Sequence, residues 1–304
     1  SVAMVLSFPE DRFELSSVLV ADPAASGAGG AVAEAPEQDN APVAVIGSGP
    51  AGVRAAQELI RYGMPVVLFN AERWQPYNRV KLTPFLAGEV QIGQVYQPIE
   101  FPANAGIRVY SGCRIARIDR DAKTVIGLNG RRWPYSQLVI ATGSRPHVPN
   151  IPGSDLANVF TFRDFDDVEK LVARAVRARD VVIVGGGLLG LEAARGMAAH
   201  GASVIVVEHE PNLMAQQLDR QAGAILAVDI ERLGIAVRVA TRVRRIEVER
   251  GVERVILSGG DAVDDETIAA DTVIFCSGIR SNIEIARDAG LTVGRGILVN
   301  DRMQ

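Results

Sequence analysis

The chain has 304 residues, 48% of them hydrophobic, and a formal net charge of −4 at pH 7. This suits two or so domains of ordinary α/β type, and the absence of a basic block argues against nucleic acid or an anionic membrane as partner. No apolar run approaches the ~20 residues of a membrane span. Cys113 and Cys276 lie far apart without a CxxC, and His147, His200 and His209 are scattered. That excludes a disulfide framework and any zinc or cysteine-ligated cluster built from this chain alone, and it suits a reducing cytoplasm.

Residues 1–40 differ from the rest: Pro9, Glu10, Asp11 and Glu14 interrupt any signal-peptide core, and the stretch Ala21–Asn40 is rich in Ala, Gly, Pro and Glu without periodicity. They read as a flexible leader. The first folded unit opens at Pro42 with an apolar strand, Val43–Ile46, then Gly47, Gly49 and Gly52 in the GxGxxG spacing, a helix expected over 53–62, and a strand over Val66–Phe69. In such a turn the first glycine permits the tight bend, the second lets backbone approach a pyrophosphate, and the third lets the helix lie close to the strand. The anion then meets the helix N-terminus, where unpaired N–H groups and the positive dipole end converge.

The same pattern returns, more completely, at Val181–Glu210: strand Val181–Val184, glycines Gly185, Gly187 and Gly190, a helix, strand Ser203–Val207, and then Glu208. A carboxylate at the end of that second strand accepts ribose hydroxyl hydrogens and repels a 2′-phosphate. With His209 and Glu210 next to it and no arginine, NADH is expected over NADPH. At the corresponding place in the first unit stands Asn70, which can still hydrogen-bond a ribose, with Glu72 two residues on as a substitute carboxylate.

The repeat extends beyond the glycine turns. Gly106–Gly143 and Gly234–Gly278 both read as a short strand, a β-meander of alternating apolar residues, and a final apolar strand ending in Thr-Gly or Ser-Gly. The chain therefore carries two versions of one dinucleotide-binding domain, and the intact glycines of both point to electron transfer between two bound nucleotides. The expected architecture is α/β, two Rossmann-like domains with parallel sheets and β-meander insertions, one inserted in the other: 41–158 plus 283–304 for the first, 159–282 for the second. The proline-marked crossing Pro146–Pro152 and the tail after 283, which needs a sheet to join, carry that expectation.

GGGLLGLEAA (Gly185–Ala194), LMAQQLD (Leu213–Asp219), YNRVKLTPFLAGE (Tyr77–Glu89) and ATGSRP (Ala141–Pro146) resemble the FAD-dependent pyridine nucleotide-disulfide oxidoreductase superfamily. Within it they are similar to the flavin module of assimilatory NAD(P)H nitrite reductase large subunits. The resemblance covers about residues 41–304. It implies FAD in the first unit, with Gly47, Ser48, Gly49, Pro50, Ala51 and Gly52 at its pyrophosphate, Asn70 and Glu72 at its ribose, Ile115 toward the adenine, Ala141, Thr142 and Gly143 closing over it, and Arg79 and Lys81 approaching the flavin or its phosphates. It implies NADH in the second unit, on Gly185, Gly186, Gly187, Leu188, Leu189, Gly190, Glu208 and Gly278, with Glu192 facing the nicotinamide. Hydride passes from NADH to FAD, so no catalytic acid or base is required, and Glu192 and Arg79 are assigned to positioning.

Departures from the family pattern also carry meaning. Ala71–Glu89 holds no cysteine, so there is neither a redox pair nor a single redox cysteine beside the flavin. Relatives reading RPPLSK have a lysine where this chain has Pro84. Electrons must leave to an external acceptor: an iron–sulfur and sirohaem module in the nitrite-reductase-like case, a rubredoxin or ferredoxin in the alternative, whose ligands are not in these residues. A non-catalytic nucleotide-sensing module is a further alternative. Family members continue past a segment like Ile297–Gln304 to a flavin-holding aspartate and an interface domain that often pairs two subunits. The resemblance thus implies a longer, homodimeric whole and an incomplete flavin site here.

Overall fold

The computed structural model describes residues 41–96, 106–249, 252–259 and 266–304. The expected leader, 1–40, lies outside the described residues. The chain divides into two compact units: one comprises residues up to Asn78, Tyr96–Ser144 and Ser281–Gln304, the other Arg79–Val95 and Arg145–Arg280.

In the first unit, β1 (Val43–Ile46) leads through the glycine turn into α1 (Pro50–Arg61), then β2 (Val66–Phe69). The helix begins three residues before the expected Val53, because Pro50 sits in its first turn, where a missing N–H costs nothing and φ is already helical. From Asn78 the chain leaves this unit for the other. There it forms a 3-10 turn (Arg79–Lys81), α2 (Leu82–Leu86) and α3 (Ile92–Val95). Back in the first unit, β3 (Ile107–Tyr110) precedes an antiparallel meander of β4 (Ile115–Asp119), β5 (Thr124–Gly127) and β6 (Arg132–Pro134), and β7 (Leu138–Ile140) closes the repeat. The main sheet runs β3-β2-β1-β7, every pair parallel. All residues of β1, β2 and β7 are buried, as strands covered on both faces must be.

The second unit starts from β8 (Ser144–Pro146) and continues with β9 (Val159–Thr161), α4 (Phe165–Ala175), β10 (Asp180–Val184), α5 (Leu188–Ala199), β11 (Ser203–Val207), α6 (Arg220–Arg232) and β12 (Ile235–Arg238). A second antiparallel meander follows, β13 (Thr241–Glu249), β14 (Val252–Gly259) and β15 (Glu266–Ala270), then β16 (Thr272–Phe275). Its parallel sheet, β12-β11-β10-β16-β9, repeats the order of the first and adds β9 at one edge. β17 (Ile279–Ser281) pairs with β8 where the chain passes from one unit to the other, and α7 (Glu284–Asp288) follows.

Two expectations are corrected. Residues 79–95 and 145–158 do not belong with the rest of 41–158 but with the second unit. Leu82, Thr83 and Leu86 are buried on the second unit, Phe85 stacks on Phe165 with ring centroids 5.7 Å apart, and Leu86 fills the space that Gly196 of α5 leaves. The tail joins the first unit without adding a strand to its sheet among the described residues. Ala286 of α7 is fully buried in the core beneath the meander, with Ile285, Ala289, Leu291, Val293 and Ile297 packed on it.

Candidate functional site

The two glycine turns are built alike. Gly47 has φ +109°, and a Cβ there would lie 2.1 Å from the Ala141 carbonyl oxygen; Gly185 has φ +120°, with the Cys276 carbonyl 2.5 Å from the same point. Gly52 and Gly190 meet the carbonyls of Gly47 and Gly185 at 1.8 and 1.9 Å in the same way. The middle glycines differ in kind. A Cβ on Gly49 or Gly187 would meet nothing within 4 Å, so each turn presents bare backbone to open space.

The helix ends match this. Gly49 and Gly187 cap α1 and α5 without any side-chain hydrogen bond, and neither helix has an acidic residue in its first turn. In contrast, α4 and α6 start on Asp164 and Asp219, whose carboxylates accept the N–H of Asp167 and Ala222. Asp, Ser or Thr is the usual solution for those orphan N–H groups. Leaving the two glycine-turn helices uncapped keeps donors and the positive helix end for an anion. Ser48, Pro50 and Ala51 lie on the first of these turns, Leu188 (exposed) and Leu189 (half-buried) on the second.

The ends of β2 and β11 are also alike in backbone and differ in the residue that follows the strand, Asn70 in one and Glu208 in the other. Glu208 is 7% exposed; its Oε2 accepts the Gly186 N–H at 2.6 Å and its Oε1 the Glu210 N–H at 2.8 Å. His209 lies beside it, with Nδ1 2.8 Å from Glu208 Oε1 and Nε2 3.1 Å from Glu210 Oε1. In the first unit, Asn70 Oδ1 accepts the Glu72 N–H at 3.0 Å, the same turn with a neutral side chain, and its amide donates to the Trp74 carbonyl. The Tyr77 hydroxyl donates to Glu72 Oε2 at 2.7 Å and places that carboxylate in the corner. Returning backbone closes both: Gly112 and Cys113 donate to the carbonyls of Glu72 and Asn70, as Ala240 and Thr241 do to those of Glu210 and Glu208.

Ala141-Thr142-Gly143 and Cys276-Ser277-Gly278 end the strands beside each turn. Ala141 and Cys276 donate to Ile46 and Val184, and Gly143 and Gly278 take positive φ on exposed backbone. Ile115 is 7% exposed and packs in the core beneath the meander, so its side chain is not on an open face. Arg79 Nη1 donates to the Arg163 carbonyl at 3.1 Å, and Lys81 is half-buried at the end of the same 3-10 turn. Glu192, half-buried on α5, accepts from the Thr83 hydroxyl at 2.9 Å.

Two contributors, Tyr77 and Thr83, escaped the sequence reading, and a third residue, Gly186, was named without its packing. Gly186 is crowded: a Cβ would come 2.6 Å from Leu213 Cδ2 and 3.0 Å from Glu208 Cβ, so Leu213 would have to shift. Its place between the two motif glycines was visible, but not that packing. Tyr77 and Thr83 gave no signal beyond lying in a segment of family resemblance. Among the cysteines, burial and then Asp167 push the Cys276 thiol up to about 12, and burial raises that of Cys113 against a smaller lowering by Arg131. Both are thiols at neutral pH. Among the described residues there is no group of three or more His, Cys, Asp or Glu placed to hold a metal, and no helix is long and apolar enough to cross a membrane.

The pattern of the pyridine nucleotide-disulphide oxidoreductase family, to which two such turns belong, matches residues 41–304. The chain belongs to that family. It is 34% identical over 264 residues to nitrite reductase [NAD(P)H] of Bacillus subtilis (strain 168), a match spanning 86% of this chain and 32% of that protein. It is 30% identical over 267 residues to rubredoxin-NAD(+) reductase of Pseudomonas putida, spanning 86% and 68%. Among solved structures, the ferredoxin reductase for the CYP199A2 system from Rhodopseudomonas palustris superposes with a TM-score of 0.76 at 30% identity, covering 84% of this chain and 63% of that one. The chain thus spans about a third of the length of the nitrite reductase it matches.

Proposed function

We propose that the chain is the FAD-dependent NADH oxidoreductase part of an electron-transfer protein, with FAD on the first unit, NADH on the second, and an external redox centre as acceptor. The observation that carries this is the pair of uncapped glycine-turn helices facing open space, one followed by Asn70 with the Glu72 carboxylate two residues on, the other by the buried carboxylate of Glu208. The residues fit both groups. Backbone at Gly49 and Gly187 has room for a pyrophosphate, and Glu208 is already fixed by two backbone N–H groups with acceptor capacity left for ribose hydroxyls.

When bound, the cofactors supply hydride transfer from the reduced nicotinamide to the flavin ring. The chain's part is to bind and orient. Gly47–Gly52 and the start of α1 hold one diphosphate, Gly185–Gly190 and the start of α5 the other. Glu208 selects NADH, since its carboxylate repels a 2′-phosphate. Arg79 and Lys81 supply positive charge on the loop assigned to the flavin, and Glu192 is aimed at the nicotinamide. Neither thiol is assigned a part, since Ala71–Glu89, the segment that the resemblance places beside the flavin, holds no cysteine.

The acceptor in this reading is the iron–sulfur and sirohaem module of a nitrite-reductase-like protein, supported by the likeness to nitrite reductases. Such clusters take four cysteine ligands, and this chain has two cysteines, so the ligands come from elsewhere. A rubredoxin or ferredoxin as acceptor is the second reading, favoured by the likeness to reductases of those carriers.

The test is a pair of glycine variants assayed for binding. Gly49→Val should weaken FAD binding at least about a hundredfold, about 2.7 kcal/mol, and leave NADH binding intact; Gly187→Val should do the reverse. Loss of both ligands in either variant, with the fold intact, would refute two separate sites.

A further inference from the structure

We propose that Thr83 is a positioning residue for the nicotinamide pocket: its hydroxyl fixes the Glu192 carboxylate without neutralising it, so that the pocket favours the cationic nicotinamide of NAD+ over the neutral ring of NADH. This rests on the reading above that Glu192 faces the nicotinamide. Among the described residues, the polar partner of Glu192 is Thr83, 109 positions away in sequence, whose hydroxyl donates at 2.9 Å from a residue 8% exposed. A hydroxyl is a single neutral donor, so it occupies one carboxylate oxygen and leaves the negative charge and the other oxygen to the pocket.

The segment carrying Thr83 is held against α5 along one face. Glu192, Gly196 and His200 are four residues apart and share that face. Gly196 gives way to Leu86, whose Cγ lies 2.9 Å from the position of an added Cβ, and His200 Nε2 lies 2.7 Å from the Leu86 carbonyl oxygen. The hydroxyl is therefore carried on a segment anchored to α5 through Leu86, one turn on.

A second contact in the same segment protects the charge. Arg195 is three residues from Glu192 on α5, a spacing at which the two side chains can pair. It is instead paired with Glu89, just beyond α2. The segment thus supplies a neutral donor to Glu192 and a separate carboxylate to Arg195.

A charge that stabilises a cationic ring also favours hydride donation, because positive charge develops on the nicotinamide as the hydride leaves. The consequence is already readable in binding, without flavin. NADH is titrated by its fluorescence and NAD+ by competition on the full chain, and the ratio of the two dissociation constants is compared across variants. Glu192→Gln should shift the ratio against NAD+ by about tenfold. Thr83→Val should shift it severalfold in the same direction, and Thr83→Ser should restore it. Glu89→Ala should shift it likewise by releasing Arg195 to Glu192, and adding Arg195→Ala should reverse that. A merely structural defect would weaken both nucleotides equally and would not be rescued by serine. An unchanged ratio in Thr83→Val and Glu192→Gln, with NADH still bound, overturns the role of Thr83 and leaves the NADH site standing. No NADH binding by the unmodified chain overturns the underlying reading itself.

Discussion

Glu208 and Asn70 show how one side chain separates two otherwise equal corners. Both accept an N–H two residues on, but only Glu208 also accepts from the glycine turn, through Gly186. Glu208→Ala should weaken NADH binding by roughly 1–3 kcal/mol, since it removes hydrogen bonds to a charged acceptor; better use of NADPH than NADH by the unmodified chain would contradict the assignment. The glycines divide by the same logic. Gly47→Ala and Gly52→Ala should destabilise the fold itself, because their Cβ would strike carbonyl oxygens at 2.1 and 1.8 Å, which thermal melting would report. A Cβ at Gly49 meets nothing within 4 Å, so Gly49→Ala should melt much closer to the parent than either. The motif glycines and Glu208 were legible in the sequence because their spacing is local. Thr83 and Tyr77 were not, because their roles depend on neighbours that only the folded chain brings near.

Among the elements, α2 is where sequence and structure part. Its sequence places it between two elements of the first unit, and nothing in its own periodicity says which surface takes Leu82 and Leu86. The signal lay in α5 instead. A glycine inside a helix costs roughly 1 kcal/mol relative to alanine, so Gly196 has a packing reason, and that reason is Leu86. Gly196→Ala should accordingly lower stability despite the better helix propensity, and Gly196→Val should lower it further, by roughly 1–3 kcal/mol in denaturant unfolding. The join before β16 has a pH signature. Desolvation raises the Asp271 pKa, but hydrogen bonds from the Thr272 hydroxyl and the N–H groups of Arg179 and Asp180, with Arg174 nearby, outweigh it and hold the carboxyl below its ordinary value. Such a group adds stability that is present above its unfolded pKa of 3.8 and is lost as pH falls through the lowered folded value. Asp271→Asn should therefore be less stable than the parent near pH 7, by about 1–3 kcal/mol, with the difference shrinking in acid. A constant difference from pH 7 down to pH 2 would contradict it.

At the scale of the whole molecule, the repeat was legible because both copies keep the strand, glycine turn, helix and strand in order, and because each meander carries its own alternation. The two parallel sheets follow the same order, β3-β2-β1-β7 and β12-β11-β10-β16, with β9 added beside β16. What sequence could not show was the exchange of 79–95 into the second unit and the helical rather than stranded tail, both settled by burial of a few side chains such as Leu86 and Ala286. If neither thiol takes part, replacing Cys113 and Cys276 together with serine should leave NADH-dependent dye reduction within about threefold of the parent, a change of less than 1 kcal/mol in the barrier. A folded double variant without activity would contradict that. The most direct test of the account is anaerobic rapid mixing of the FAD-loaded chain with NADH while following flavin absorbance. The account predicts fast bleaching that saturates with NADH and is lost in Gly187→Val; bleaching no faster than that of free FAD, or the same in Gly187→Val as in the parent, would contradict it.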